Sequence, residues 1–306
     1  MIMSPAEPEL SLTVVVIILG GADYLPGCLR ALRQQVGVPP PDIIVPHDDA
    51  LERASEFSRE FPDIEFIPHD GRRTYAELRA AAVRRARGDI VAVTEDHCTP
   101  EPDWCANIIR LHRQPYAAVG GSVHKTGKDS LVNWAVYLID FGRYMNPVPE
   151  GPARYLTDCN VSYKRRVLAE ISQQWRDEFH ETTVNWSLLD KGAALWLSPA
   201  VVVRQRRNLK LGYAISERYR FGRLFASTRV APKGIAHRLV YAAFSPLLIV
   251  IFTGRVARNV ITKRRAVRQF LLSLPFVVLL SAIWALGEFV GYMTAKAGRG
   301  LRPDPR

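Results

Sequence analysis

The chain has 306 residues, 48% hydrophobic and 23% charged. That is too apolar for a disordered chain, and long enough for one large α/β domain with an appendage or for two modest domains. The net charge of +11 is unevenly placed: residues 1–200 carry 21 Lys/Arg against 27 Asp/Glu, residues 201–306 carry 20 against 3. A basic C-terminal third bracketing two apolar stretches fits a membrane surface. Nucleic acid is disfavoured, because no binding motif accompanies the charge.

Residues 12–19, LTVVVIIL, are β-branched, too short for a helix and apolar on both faces, which predicts a buried parallel strand ended by Gly20-Gly21. A helical pattern follows from Tyr24 to about Gln35, with Leu25, Cys28, Leu29 and Leu32 on one stripe. Ile43 to Val45 form a second strand closed by His47-Asp48-Asp49; a helix at about 50–60 leads to a third strand at 64–68. Residues 74–87 are Ala-rich and helical, with Gly88 placed as the C-terminal cap, and 89–94 form a fourth strand. Strand and helix alternate throughout, so the fold class is α/β with a doubly wound, mostly parallel sheet, in which ligands bind beyond the carboxyl ends of the strands. Farther on, 117–123 reads as a strand, 131–145 as a helix or an aromatic wall, and 193–203 as a late strand pair.

The tail holds two apolar segments. Residues 239–254 are uncharged but broken by Pro246, and only about 24 Å long as a helix. Residues 270–292 carry one charge, Glu288, and reach about 35 Å, enough to cross a hydrocarbon core of about 30 Å. Between them, 255–268 reads as a basic loop. The expected division is a catalytic domain over 1–228 and a membrane-associated helical region over 229–306. MIMSPAEPELS has no basic n-region and so predicts no signal peptide, which keeps the catalytic part in the cytoplasm at the cell membrane. Cys28, Cys98, Cys105 and Cys159 form no CxxC pair and no zinc-finger spacing, and are expected as reduced, buried thiols.

Glu95, Asp96 and His97 stand consecutively where the fourth strand ends. One carboxylate there would be a solvated helix cap; an Asp/Glu/His set at a sheet's ligand-binding edge suits a divalent cation that bridges phosphate oxygens, Mg2+ or, with a histidine present, Mn2+.

The segments VVVIILGGADYLPGCLRALRQQ, IIVPHDD and ARGDIVAVTEDHCTPEPDW, in this order, resemble the opening of family 2 glycosyltransferases, which have the Rossmann-like GT-A fold. The resemblance implies an inverting transfer of sugar from a nucleotide-sugar donor, a UDP-sugar first among them. The acceptor would be a lipid or a membrane-linked glycan. It implies donor contacts at Asp48, Asp49, Arg79 and Asp96, with His47 replacing the first acid of the family's Asp-Asp turn. Glu95, Asp96 and His97 fall on its metal-binding motif, itself altered from the Asp-rich form. YLTDCNVSYKRRVL is similar to the family's acceptor-side segment, which points to Asn160 and then Asp158. FHETTVNWSLLDKG is similar to its Glu-Asp motif, with His180 on the acceptor side and Glu181 as catalytic base and Asp158 as second choice. SERYRFGR resembles a basic-aromatic element over the diphosphate, which points to Arg220. Two alternatives stand beside this reading. One is a nucleotidyltransferase of similar fold, although LGGADYL lacks the basic residue such a phosphate loop needs. The other is a non-catalytic membrane scaffold with a degenerate transferase domain.

Overall fold

Six consecutive buried residues, LTVVVI, make β1 (Leu12–Ile17), a strand flanked on both sides by parallel neighbours. In the computed structural model, which describes residues 10–19, 22–127, 130–231 and 233–298, the chain falls into two compact units. Among the described residues the first comprises those up to Ser122 with Val148–Arg204, the second Val123–Pro147 with those from Gln205 to Gly298.

In the first unit β1 leads to α1 (Leu25–Arg33), whose buried side chains are Leu25, Cys28, Leu29 and Leu32, the stripe expected from periodicity. The expected strand end at Gly20-Gly21 lies outside the described residues. β2 (Asp42–His47), α2 (Ala54–Glu60), β3 (Glu65–Pro68), α3 (Tyr75–Arg85) and β4 (Ile90–Glu95) follow in the predicted alternation. β3, β2, β1 and β4 lie side by side, all parallel. α3 starts at a capping box: Thr74 Oγ1 accepts from the Glu77 amide and Glu77 accepts from the Thr74 amide.

Gly88 is not the expected helix cap. Ala86 ends α3, and Gly88 is required by proximity instead. A Cβ there would stand 2.6 Å from the Thr13 backbone nitrogen, and the Gly88 amide donates to Thr13 Oγ1 at 2.9 Å. The residue lets the chain cross close to β1 as it enters β4.

The remaining elements of the sheet region are β5 (Cys98–Pro100), α4 (Trp104–His112), β6 (Ala118–Lys125), β7 (Gly151–Pro152), β8 (Asn160–Lys164), α6 (Arg165–Glu170), α7 (Glu181–Asp190) and β9 (Leu195–Gln205); α5 (Leu131–Phe141) belongs to the second unit. The full order is β3-β2-β1-β4-β8-β6-β9-β5, with β7 on β9. β8 runs antiparallel between β4 and β6, with Thr94 opposite Asn160. That register brings the residues just before β8 to the carboxyl end of β4. The late strand pair expected over 193–203 is one strand of 11 residues, β9; Pro199 at its centre suggests a break that the chain does not make.

The second unit is helical: α5, then α8 (Leu211–Val230), α9 (Ile235–Phe244), α10 (Leu247–Lys263) and α11 (Val267–Thr294). Residues 131–145 thus begin as a helix. The expected boundary at 228/229 falls inside α8, which packs along α11 as a whole. Their backbones come close at glycines: a Cβ on Gly287 would meet the Tyr219 carbonyl at 2.3 Å, and one on Gly291 the Arg223 carbonyl at 2.5 Å. The basic stretch 255–268 is not a loop. Arg255 to Lys263 continue α10, and Arg264 and Ala266, both left-handed, turn the chain into α11. Alternating charge-free and basic composition hid a helix whose first half is apolar and second half basic. Among the described residues α11 is the helix long and apolar enough to cross a membrane; α9 and α10 pass the same test together but are bent by 58°. Glu288 faces protein, accepting from Trp284 Nε1 and Tyr292 Oη at 2.6 Å each.

Candidate active site

Glu95 ends β4 opposite Ile17, and the chain turns at once through Asp96 and His97 into β5. Asp96 makes that turn. Its amide donates to the Ile17 carbonyl, and its Oδ1 accepts from the amides of Leu19 and His97 at 3.0 Å each. The carboxylate thereby ties the end of β4 to the end of β1. Glu95 and His97 meet instead, Oε2 to Nε2 at 3.3 Å, while His97 Nδ1 lies 3.2 Å from Asp96 Oδ1. All three side chains are buried.

Arg79 reaches the same place from α3. Its Nη2 lies 3.1 Å from Asp158 Oδ2 and 3.9 Å from Glu95 Oε1; its Nη1 lies 3.8 Å from Glu181 Oε2 and donates to the Phe179 carbonyl at 3.4 Å. Phe179 is itself held by its amide on the Ala76 carbonyl. Glu181 opens α7, where the helix dipole favours an acid, and Asp158 stands two residues before β8. Carboxylates 16, 79 and 102 residues farther along the chain, Glu95, Asp158 and Glu181, therefore share one guanidinium. The cluster has a closed side and an open one: Arg79 and Glu95 are buried, whereas the side chains of Asp158 and Glu181 are 30% and 24% exposed.

The electrostatics follow from this crowding. Burial, and then the negative charge of Asp158, raise the Glu181 carboxyl above its ordinary value, outweighing the pull of Arg79. For Arg79, burial acts against the charged form, but Asp158, Glu181 and Glu95 outweigh it and hold the guanidinium charged. Three carboxylates gather about one guanidinium at a partly desolvated point, with the His97 ring against Glu95, and so acid-rich a setting fits a divalent cation. The donor set is shifted from the expected one. A carboxylate oxygen of Glu95, a ring nitrogen of His97 and Cys98 Sγ lie within 4.8 Å of one another, while Asp96 Oδ1 is engaged by the backbone. Cys98 was not legible as a ligand because it has no cysteine partner at metal-site spacing; its one signal is that it follows the triplet directly.

Other expected site residues have different surroundings. Asp48 Oδ1 accepts from the Ala50 amide at 2.9 Å, and its Oδ2 from the Arg73 amide at 2.8 Å with Arg72 Nε at 3.3 Å. Asp49 Oδ2 accepts from the Gly71 amide at 2.8 Å. Both acids of the turn after β2 thus pin the segment 70–73 that precedes α3. Burial, chiefly, lowers the pKa of His47 beside them below its ordinary value. Asn160 points into the sheet: its Oδ1 accepts from Trp104 Nε1 at 2.8 Å, and its amide donates to the carbonyls of Ser122 and Val201 at 2.9 Å each. With both amide hydrogens used, an acceptor contact would break an internal brace. His180 stands at the N-cap position of α7 without a side-chain cap bond, and its ring lies 3.2 Å from Glu178. Arg220 is an exposed residue of α8, in the second unit. All four cysteines are free and buried, as expected.

A parallel β3-β2-β1-β4 half continued by an antiparallel strand, with acids at the end of β4, is the GT-A, Rossmann-like fold of nucleotide-sugar transferases. The Glycosyl transferase family 2 profile matches residues 13–172, and the chain belongs to that family. This separates it from the nucleotidyltransferase alternative. Among solved structures it is similar to the mannosyltransferase PcManGT from Pyrobaculum calidifontis, in complex with GDP-Man and Mn2+. The TM-score is 0.57 at 16% identity, over 92% of this chain and 87% of that one, a likeness of fold. No curated protein matches by sequence.

Proposed function

We propose that the protein is an inverting, metal-assisted glycosyltransferase that moves a hexose from a nucleotide-sugar donor to a lipid or membrane-linked glycan. The carrying observation is the open side of the Arg79 cluster, where Glu181, a partly buried carboxylate with a raised pKa, stands beside Asp158. Such a group accepts a proton near neutral pH better than an ordinary carboxylate does. Glu181 takes the proton from the acceptor hydroxyl, and the oxygen so activated displaces the diphosphate in one step, which inverts the anomeric centre. No covalent intermediate is needed, and Asp158 is the alternative base. Arg79 fixes Glu181 and Asp158 relative to each other and offers positive charge to the donor. Glu95 and His97 would hold the cation, with Asp96 or Cys98 as the neighbouring ligand. When bound, Mn2+ or Mg2+ would neutralise charge developing on the diphosphate.

On the donor side, Asp48, Asp49 and the segment they pin form the nucleotide edge. A UDP-sugar is the first donor to test; GDP-mannose, the donor in the PcManGT structure, is the second. The helical region over 229–306 holds the enzyme to the cell membrane with the catalytic domain on the cytoplasmic side. The support is the apolar α11, the apolar side chains exposed along α9 and α10, and the basic residues around them.

The decisive experiment is a panel of nucleotide sugars incubated with the full-length protein in membrane vesicles, with Mn2+, with Mg2+ and with chelator. We expect cation-dependent release of nucleoside diphosphate from one donor, stopped by chelator and restored by Mn2+. Release undiminished in chelator would remove the metal from the reading. No release with any donor, with or without added lipid extract, would favour the non-catalytic scaffold.

A further inference from the structure

Resting on the metal reading above, we infer that Cys98 is the third protein ligand of the cation, and that the site favours borderline cations such as Zn2+ or Co2+ over Mg2+. Glu95, His97 and Cys98 offer a carboxylate oxygen, a ring nitrogen and a sulfur, all within 4.8 Å of one another and all buried. Asp96, the residue between Glu95 and His97 in sequence, has its Oδ1 fixed 3.0 Å from two backbone amides. The turn that Asp96 holds is what folds the first residue of β5 back beside the last residue of β4. One oxygen, one nitrogen and one sulfur suit a borderline ion, because thiolate sulfur is a poor ligand for Mg2+ and a good one for Zn2+ or Co2+. Three protein ligands also leave a coordination position for an oxygen of a bound phosphate, as catalytic rather than structural sites do.

Binding forms a sulfur–metal bond and breaks the S–H bond of Cys98, with the proton released to solvent. The neighbouring acids Asp158 and Glu181 lie across Arg79 from Glu95 and add to the negative field without entering the donor set.

The test is spectroscopic and needs no turnover. The full-length protein in detergent is titrated with Co2+ and followed in the near ultraviolet and the visible. We expect a thiolate-to-cobalt charge-transfer band that Zn2+ abolishes by displacement and that Cys159→Ser retains. Cys98→Ser should lose the band and weaken Co2+ and Zn2+ binding by at least about tenfold, while Mn2+ binding, read by electron paramagnetic resonance, changes less. Cys98→Ala, checked by circular dichroism, substitutes if the serine variant does not fold. The wild-type spectrum decides by itself. Co2+ bound without a charge-transfer band, and lost in His97→Ala, leaves a metal site and overturns Cys98 as its ligand. Binding of neither Co2+ nor Mn2+ overturns the metal reading with it.

Discussion

In the first unit a single buried guanidinium, that of Arg79, stands among three carboxylates; in the second, two guanidiniums meet two. Arg207 grips Glu217 through bonds of 2.8 and 3.2 Å, and Arg218 bonds Asp140 while lying 5.8 Å from the Trp284 ring centre. Arg207, Glu217 and Arg218 are buried. The matched set already has its counter-charges, so it serves as a strut between α5, α8 and α11. The Arg79 set gathers three carboxylates about one guanidinium and is open on the side of Asp158 and Glu181, which is an arrangement a cation or a charged substrate can join. Charge balance and exposure, more than the presence of buried charge, separate a site from a brace.

The largest effect should come from unbalancing the first set. Arg79→Met leaves Glu95, Asp158 and Glu181 facing one another, and removing one partner of a buried charge set costs about 3–5 kcal/mol. Arg207→Met combined with Glu217→Leu removes both partners at once and should cost close to nothing, since the desolvation penalties vanish with the pair. Denaturant unfolding of both variants in detergent measures the contrast. Equal losses would mean that the two clusters are the same kind of structure.

Next in size is Glu181→Gln, which keeps the side chain's shape but cannot take a proton. Turnover should fall at least about a hundredfold, with donor binding retained. In the wild type, turnover should be lost as pH falls through the raised Glu181 pKa, so the acid limb lies above the ordinary glutamate value of about 4.3. Stability runs the other way. A carboxyl whose folded pKa is raised favours folding while protonated, and that contribution is lost as pH rises through the folded pKa. The glutamine variant should therefore unfold at a higher temperature than the wild type at neutral pH, and not below the ordinary carboxylate range. A variant that is inactive and also less stable at neutral pH would mark Glu181 as structural, and one that turns over normally would move the base to Asp158.

A smaller effect tests the second unit alone. Gly287→Ala pushes a methyl group into the Tyr219 carbonyl, and overpacking of this kind costs about 1–3 kcal/mol. The loss should appear in the melting of the helical unit without a change in metal binding by the first. A change in both would join two regions that their charge patterns distinguish.

The parts of this architecture that were legible are those that local pattern determines. The α1 stripe, the buried β1 and the strand–helix alternation through β4 follow from periodicity and side-chain branching. Gly88 was misassigned because a glycine after a helix is most often a cap, and only the packing of β4's approach against Thr13 reveals its other role. The antiparallel insertion of β8 beside β4 depends on pairing between residues 66 apart, Thr94 and Asn160, for which a single sequence carries no signal. The same holds for the site. Arg79, Asp158 and Glu181 could be chosen one by one from their family motifs, but their convergence is a tertiary fact. So is the turn held by Asp96, which brings Cys98 beside Glu95 and His97. Asn160 shows what a motif match leaves out: its side-chain amide braces β8 against β6 and β9.

The mildest perturbation addresses how the second unit meets the bilayer. Two full crossings would carry Arg255, Arg258, Lys263, Arg264, Arg265 and Arg268 to the far side of the membrane, against the tendency of short basic segments to remain cytoplasmic. The helical continuation of α10 through Lys263 strengthens the objection, since the basic half forms one rigid extension of the apolar half. The 58° bend between α9 and α10 offers a path that avoids the crossing. The apolar side chains exposed at Phe244, Leu247, Val250 and Ile251 would enter the cytoplasmic leaflet, and the basic end would stay at its surface. Only α11 would then insert deeply, with its single acid, Glu288, shielded by Trp284 and Tyr292. Thr262→Cys reports on this directly, because Thr262 is exposed near the end of α10 while the four native cysteines are buried and give an unlabelled background. In intact cells an impermeant thiol reagent should leave the variant unlabelled and should label it once the membrane is opened. Labelling from outside would establish an ordinary hairpin, with the basic end of α10 across the membrane.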